Sequence, residues 1–547
     1  MGKANGSLEG RARHFAELLV GWPSVTGSVD EARFADRLKS ELAQWEAFRA
    51  NPADLLRIPA PGLHSRASIM ALVRGKGDMT VILAGHFDTV PVDDYGELAH
   101  LAGEPEALRS ALIAKLTATG TDPQALEDLA SRRFLPGRGM LDMKSGVAAG
   151  LAVLERFAQD PDRMGNLLLI ACPDEEENSS GMRSVMEVLP GFLAENGLDA
   201  RLTINLDAIC DNEDGAAGRV VAMGCIGKLL LSALVVGKEA HACYPLDGVN
   251  AAYLAGELIA EMEYAPELGE ISGDCLASPP TALGLKDLKT SYNVTIPSRV
   301  WAFWNVLLHR RKAQEVMAAA STVAARATRR AAERMNERAS RLGAGVVPAR
   351  FWRDVPIWTY EALWAKAEKA QGFAESFSAL AASLANRYDL DLPTRSRELV
   401  EFVWERSGLE GPAIVFCFGS MPYPAIQWPS NLAKLENAID GAIAEITEAH
   451  GEPIAKHAFF PAIADMSFAG PIDRDDLRIV ASNTPLWDSS INWPADGGAP
   501  FNVPIINVGP WGRDYHHWLE RTHETYTFRV LPDLVQAIAR RVLDMSR

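Results

Sequence analysis

Between residues 67 and 209 short apolar runs alternate with sequence of helical period, and several of the runs end in polar groups. The runs are SIMALVRG (68–75), MTVILAGH (79–86), NLLLIACP (166–173) and RLTINLDAI (201–209), with the helix-like GVAAGLAVLERFA (146–158) among them. Runs this apolar read as strands covered on both faces, so the fold class is α/β with a mainly parallel sheet flanked by helices. In such sheets ligands gather beyond the carboxyl ends of the strands. Three runs end in polar groups: His86 with Asp88, the acidic stretch Asp174 to Glu177, and Asp207. These ends are expected to converge on one rim, with Gly85 of VILAGHFDTV (81–90) letting the chain turn there.

At 547 residues and 48% hydrophobic, the chain has material for more than one core. Residues 10–50 read as amphipathic helix. Residues 219–237 and 291–308 look like strands of a separate sheet, followed by an Ala/Arg-rich helix over 310–342 with a stop at Gly343-Ala344-Gly345. More helical sequence fills 359–408, AIVFCFG (413–419) is a strand candidate, and helix returns near 432. The simplest parse is an α/β domain in two parts, 1–215 and 429–547, interrupted by an insert over 216–428.

The formal charge of −17, with no basic stretch interleaved with aromatics, argues against a nucleic-acid partner. No apolar run reaches the ~18–20 residues that cross a bilayer, and MGKANGSLEGRARHF lacks the apolar core of a signal peptide. A soluble, cytoplasmic protein without a membrane partner is expected. The six cysteines form no C-x-x-C pair and read as reduced core thiols.

Five candidate metal ligands stand at or beside the ends of apolar runs or in Gly-flanked turns: His86, Asp142, Glu176, Asp207 and His516. Each has a plain structural reading. A strand-end His can be satisfied by hydrogen bonds, the acidic run can favour a helix dipole, and Asp142 can be an N-cap. The five together, two imidazoles and three carboxylates, suit Zn²⁺, with Co²⁺ or Mn²⁺ as alternatives. One bridging carboxylate would make a two-metal site. No G-x-S-x-G, H-E-x-x-H or Walker loop competes; the look-alike His523-Glu524 has Thr527 where a second His is required.

These residues sit in GHFDTVP (85–91), GRGMLDMKSG (137–146), PDEE (173–176) with Gly181, and Gly509-Pro510 leading to His516 and Glu520. In composition, order and context these motifs resemble the dinuclear-zinc metallopeptidase and deacylase family, which includes carboxypeptidase G, aminoacylases, acetylornithine deacetylase and succinyl-diaminopimelate desuccinylase. The resemblance implies a zinc-peptidase-like catalytic domain interrupted by an α+β lid and dimerisation domain. It further implies two divalent ions per chain, with Asp142 bridging, His86 and Asp207 completing one site, and Glu176 and His516 the other. Asp88 would fix the tautomer of His86, and Glu175 would be the general base. The insert carries a matching GKEAHACYP (237–245), so His241 would stabilise the oxyanion in the site of a second copy. That makes the expected assembly a homodimer or a higher homo-oligomer. Asn293 of YNVTIP would touch substrate.

The chain also departs from the family. Leu307 stands where an Arg commonly holds a substrate carboxylate, with His309, Arg310 and Arg311 just beyond. His86 and Asp142 are 56 positions apart (142 − 86), farther than usual, and the insert is about twice the common lid. IADMS (463–467) replaces a Gly-Gly-Thr-Asp loop, and Trp511 replaces the last Gly of Gly-Pro-Gly. Together these features look most like the larger branch of the arginine-utilisation protein RocB. The implied activity is hydrolysis of an amide bond in a small N-acyl amino acid, peptide or related amide. A catalytically silent binding or scaffold homologue, and a two-metal hydrolase of another bond, stay open as alternatives.

Overall fold

The computed structural model describes residues 6–545 apart from 273–274, 344, 349–351, 353, 492 and 494–500. Two compact units form. The first comprises Met1–Cys225, Ile426–Pro471 and Ala499–Arg547; the second comprises Ile226–Ala425 and Ile472–Gly498.

The first unit is built on a nine-stranded mixed sheet. Its centre is four parallel strands in the order Met164–Cys172, Lys76–His86, Asp199–Asn205, Ile505–Asn507. Antiparallel strands flank this centre: Ala67–Arg74 with Leu55–Pro59 on one side, and Val220–Cys225 with Ile426–Gln427 on the other. From Thr80 onward the His86 strand is buried at every residue, as a strand covered on both faces must be. Helices Leu8–Val20, Lys144–Gln159 and Leu531–Leu543 share one core with it, where Phe15, Leu151 and Leu534 meet Val81, Leu83 and Leu169. The first helix is started by Ser7, whose hydroxyl accepts the Gly10 N–H.

One glycine sets how closely this layer packs. A Cβ on Gly146 would lie 2.0 Å from the Leu206 carbonyl oxygen, so only glycine lets the Lys144–Gln159 helix approach the loop after the Asn205 strand. Gly85 is not a turn residue, and its neighbour is a side-chain tip rather than backbone. It lies within its strand, and a Cβ there would meet the Met143 Cε at 2.3 Å.

The long spacing between His86 and Asp142 accommodates two helices, Pro105–Thr119 and Pro123–Ala130. They have a small core of their own, in which Leu108, Leu112, Leu116 and Leu129 pack with Leu519. A separate four-stranded sheet runs in the order Phe134–Pro136, Arg521–His523, Trp511–Arg513, Ile209–Cys210.

The second unit has a five-stranded sheet ordered Thr281–Asp287, Arg299–Leu308, Gly227–Val236, Ala413–Phe418, Ile357–Thr359, antiparallel except for the last pair. Alternate residues of Gly227–Val236 feed two cores. Leu229, Leu231, Ala233 and Val235 pack with helices Ala251–Met262 and Ala313–Leu342, while Leu234 and Val236 pack with helices Tyr360–Ala367, Phe373–Ala385 and Leu392–Arg406. In the Ala313–Leu342 helix, Val316, Ala320, Val323, Ala324, Ala327 and Ala331 give the buried stripe. Ala344, in the expected stop, lies outside the described residues.

Two sequence expectations are corrected. The apolar run 219–237 is two strands and not part of one sheet: Val220–Cys225 pairs within the first unit's sheet, and Gly227–Val236 within the second's. The segment Ile472–Gly498 returns to the second unit, where the Ala313 N–H donates to Asp476 at 2.7 Å and the Phe418 N–H donates to the Asn483 carbonyl at 2.8 Å. Among the described residues no helix is long and apolar enough to cross a membrane.

Candidate metal centre

All four parallel strands run to the same rim, and each leads into candidate groups. His86 is the last residue of its strand; the Cys172 strand is followed by Glu175 and Glu176, the Asn205 strand by Asp207, and the Asn507 strand by the segment to His516. Asp142 comes from the turn before the Lys144–Gln159 helix, which Gly146 lets sit against Leu206.

The side chains form two groups that share Asp142. His86, Asp142 and Asp207 offer ligand atoms within 4.8 Å of one another, and so do Asp142, Glu176 and His516. The His86 Nε2 lies 3.1 Å from Asp142 Oδ1 and 3.9 Å from Asp207 Oδ1. The His516 Nε2 lies 3.3 Å from Asp142 Oδ2 and 3.1 Å from Glu176. Glu175 Oε2 stands 3.7 Å from the His86 Nε2, beside the first group.

The electrostatics are those of a site short of positive charge. Burial raises the Asp207 carboxyl to about 8, helped by the charge of Asp142. Burial likewise pushes Glu175 well above the ordinary carboxylate range, with Asp207 and Glu176 adding to it. Burial alone would lower both imidazoles, yet Glu175, Asp142 and Asp88 hold His86 well above its usual value, and Asp142 and Glu176 raise His516 to about 10. Partial burial would raise half-buried Asp142 too, but hydrogen bonds from His516 and His86 keep it below its usual value. Crowded carboxylates retain protons unless another cation replaces them. Oxygen and imidazole donors in two groups with one shared carboxylate therefore fit a pair of divalent ions.

Supporting residues fix this geometry. Asp88 is fully buried and stands 3.5 Å from the Nδ1 of His86. Its carboxylate also accepts the backbone N–H groups of Glu175 (3.1 Å) and Glu176 (3.2 Å) and the Thr26 hydroxyl (2.9 Å). Buried Glu520 accepts the N–H groups of Leu141 (3.0 Å) and Asp142 (3.3 Å) and is paired with Arg138 at 2.8 Å. Asn507, a register partner of Asn205, accepts from the Asn205 amide at 3.0 Å and the Asp207 N–H at 3.1 Å, and donates to the Asp207 carbonyl at 2.8 Å. Sequence reasoning assigned no role to Thr26, Asn507 or Arg138. The one signal for Asn507 is a polar residue inside the apolar run PIINVG.

His241 and Asn293 lie in the second unit, and the structure brings them together. The strand-like segment around His241 pairs with that around Thr295. The Nδ1 of exposed His241 accepts the Cys243 N–H at 3.1 Å, which leaves Nε2 to carry the proton of a neutral ring. The Asn293 Oδ1 accepts the Thr295 hydroxyl at 2.6 Å. Near Leu307, the Arg311 guanidinium is engaged by the Glu267 and Gly269 carbonyls. Trp301, Trp304 and Trp511 are core residues, whereas Tyr292 is 92% exposed.

Residues 82–390 match the family model described as peptidase family M20/M25/M40. The chain is 30% identical over 529 residues to the protein YqjN of Bacillus subtilis, covering 96% of this chain and 95% of that one. It is 28% identical over 544 residues to protein RocB of Bacillus subtilis, covering 97% and 94%. Among solved structures, the crystal structure of a tripeptidase from Staphylococcus aureus superposes with a TM-score of 0.51 at 14% identity, covering 98% of this chain and 99% of that one.

Proposed function

The chain belongs to peptidase family M20/M25/M40 and is a metal-dependent hydrolase; on that premise we propose that it cleaves the amide bond of a small N-acyl amino acid, peptide or related amide at a two-ion centre. The observation that carries this reading is the pair of ligand groups sharing Asp142, with Glu175 beside them.

His86, Asp142 and Asp207 would hold one ion, and Asp142, Glu176 and His516 the other. Two divalent ions bound there supply Lewis-acid polarisation of the scissile carbonyl and a water of lowered pKa. The donor set of two imidazoles and three carboxylates suits zinc, with cobalt or manganese as alternatives. The Glu175 carboxylate, 3.7 Å from the His86 Nε2 and beside the first ligand group, takes the proton of the attacking water and returns it to the leaving amine. Asp88 orients His86 through Nδ1, so that Nε2 faces the ligand group.

His241, with Nε2 as its donor, would stabilise the oxyanion in the site of a second copy, which makes the working assembly a homodimer. Asn293, next to it, would contact substrate. The sequence resemblance to the arginine-utilisation branch puts amides of arginine-related amino acids among the first compounds to test.

The test is a mass-spectrometric screen of metal-reconstituted protein against N-acyl amino acids, dipeptides and arginine-related amides, scoring products that have gained water. Turnover that is lost with chelator and lost in Glu175→Gln, while that variant keeps its metal, is the expected result. Near-normal turnover in Glu175→Gln would overturn the assignment of the base.

A further inference from the structure

Helices Pro105–Thr119 and Pro123–Ala130 give no group to the metal centre, yet one of them reaches the loop that carries His516. Asp128, on the second helix, is buried. Its Oδ2 accepts three N–H groups, from Arg513 Nη1 at 2.7 Å, Arg521 Nε at 3.0 Å and Arg521 Nη2 at 2.9 Å. Arg513 and Arg521 bracket the segment that contains His516. Arg521 then donates through Nη1 to Asp514 Oδ2 at 2.5 Å and to the Leu519 carbonyl at 3.0 Å. Arg513 donates through its second terminal nitrogen to the Glu213 carbonyl. One buried carboxylate thus fixes both ends of the segment, and Leu519 is sunk into the core of the same two helices.

The segment needs such a hold. Asp514 and His516 both sit at positive φ, 55° and 59°, a region L-residues seldom enter although Asp and His tolerate it better than most, so the bonds around the segment help to keep it there. The His516 side chain is 43% exposed, so its position is set by its backbone rather than by burial.

We propose that Asp128 is a positioning residue for the ion held by Glu176 and His516, acting through Arg513, Arg521 and Asp514. This inference rests on the two-ion reading above. Removing the charge of Asp128 leaves two guanidiniums competing for a neutral amide in a buried site, and the segment relaxes from the conformation that presents His516. Among the described residues neither His86 nor Asp207 is hydrogen-bonded to Asp128, Arg513, Arg521 or Asp514.

The test is metal titration of the metal-free wild type and Asp128→Asn, followed by cobalt absorption and by elemental analysis of bound ions. The wild type binds two ions. Folded Asp128→Asn keeps one at wild-type affinity and binds the other about 10–100-fold more weakly. Asp128→Glu recovers part of that loss. A general loss of stability would weaken both ions alike, so the selectivity is the diagnostic readout. Should Asp128→Asn fail to fold, Asp514→Ala cuts the last link at a partly exposed residue and shows the same selective loss. Two ions bound at wild-type affinity by either folded variant overturn the inference alone. A wild type that binds fewer than two ions overturns the two-ion reading and this inference with it.

Discussion

Asp88 accepts the backbone N–H of Glu175 at 3.1 Å while its carboxylate faces the Nδ1 of His86 at 3.5 Å. One buried carboxylate therefore fixes a candidate ligand and the loop that bears the candidate base. His86 and Asp142 enter from the His86 strand and the turn before the Lys144–Gln159 helix, Glu175 and Glu176 from the Cys172 strand, so Asp88 couples elements that are remote in sequence.

Asp88→Asn should lower metal affinity about 10–100-fold and reduce kcat in metal-saturated protein, because it loosens both His86 and Glu175. Metal titration and steady-state kinetics check this. Wild-type kcat at saturating metal would confine Asp88 to the imidazole and remove its role at Glu175.

Protons and ions compete for the centre. The metal-free His516 imidazole is raised to about 10 and the Asp207 carboxyl to about 8. Both folded values lie above the ordinary ones, so the folded site holds protons that the unfolded chain releases. The His516 contribution is full below pH ~6.5 and is lost as pH rises to about 10; that of Asp207 is lost between pH ~3.8 and about 8. Bound ions replace those protons, so the gap in Tm between metal-loaded and metal-free protein should widen from pH 6 to 9. Thermal melts with and without metal across that range check it, and a gap that narrows with pH would contradict it.

Gly146→Ala should separate the Lys144–Gln159 helix from the Leu206 loop, since the added Cβ would fall 2.0 Å from the Leu206 oxygen. The expected cost is about 1–3 kcal/mol of stability, with weaker binding of the ion shared by Asp142 and Asp207. Denaturant unfolding and metal titration read the two effects. Unchanged values for both would show that the close approach is dispensable.

His241→Ala should lower kcat about 10²–10³-fold and leave both ions bound. If His241 serves a second copy, exchanging subunits between inactive His241→Ala and inactive Glu175→Gln should restore about a quarter of wild-type activity, since half the dimers then carry one intact site. No recovery after demonstrated subunit exchange would contradict action in trans.

What the sequence made legible follows from locality. The strands ending at His86, Cys172 and Asn205 are continuous apolar runs, and the residues just past them are polar, so the rim could be read without the fold. Asn507 and Asp128 could not. Asn507 holds Asp207 across 300 positions, and Asp128 holds Arg521 across 393, so nothing local marks them as partners. In the run 219–237 the crossing between sheets after Cys225 is marked only by Gly224, Gly227 and Lys228 within an otherwise largely apolar stretch, too weak a break to separate from a single strand. The return of Ile472–Gly498 to the second unit depends on pairs such as Asp476 with Ala313, which are equally invisible to spacing.

The most direct measurement is anomalous diffraction from crystals of the zinc-loaded protein, collected on both sides of the zinc absorption edge. Two peaks are expected, one beside His86 and Asp207 and one beside Glu176 and His516, with Asp142 between them. A single peak, or two peaks that do not share Asp142, would contradict the two-ion centre.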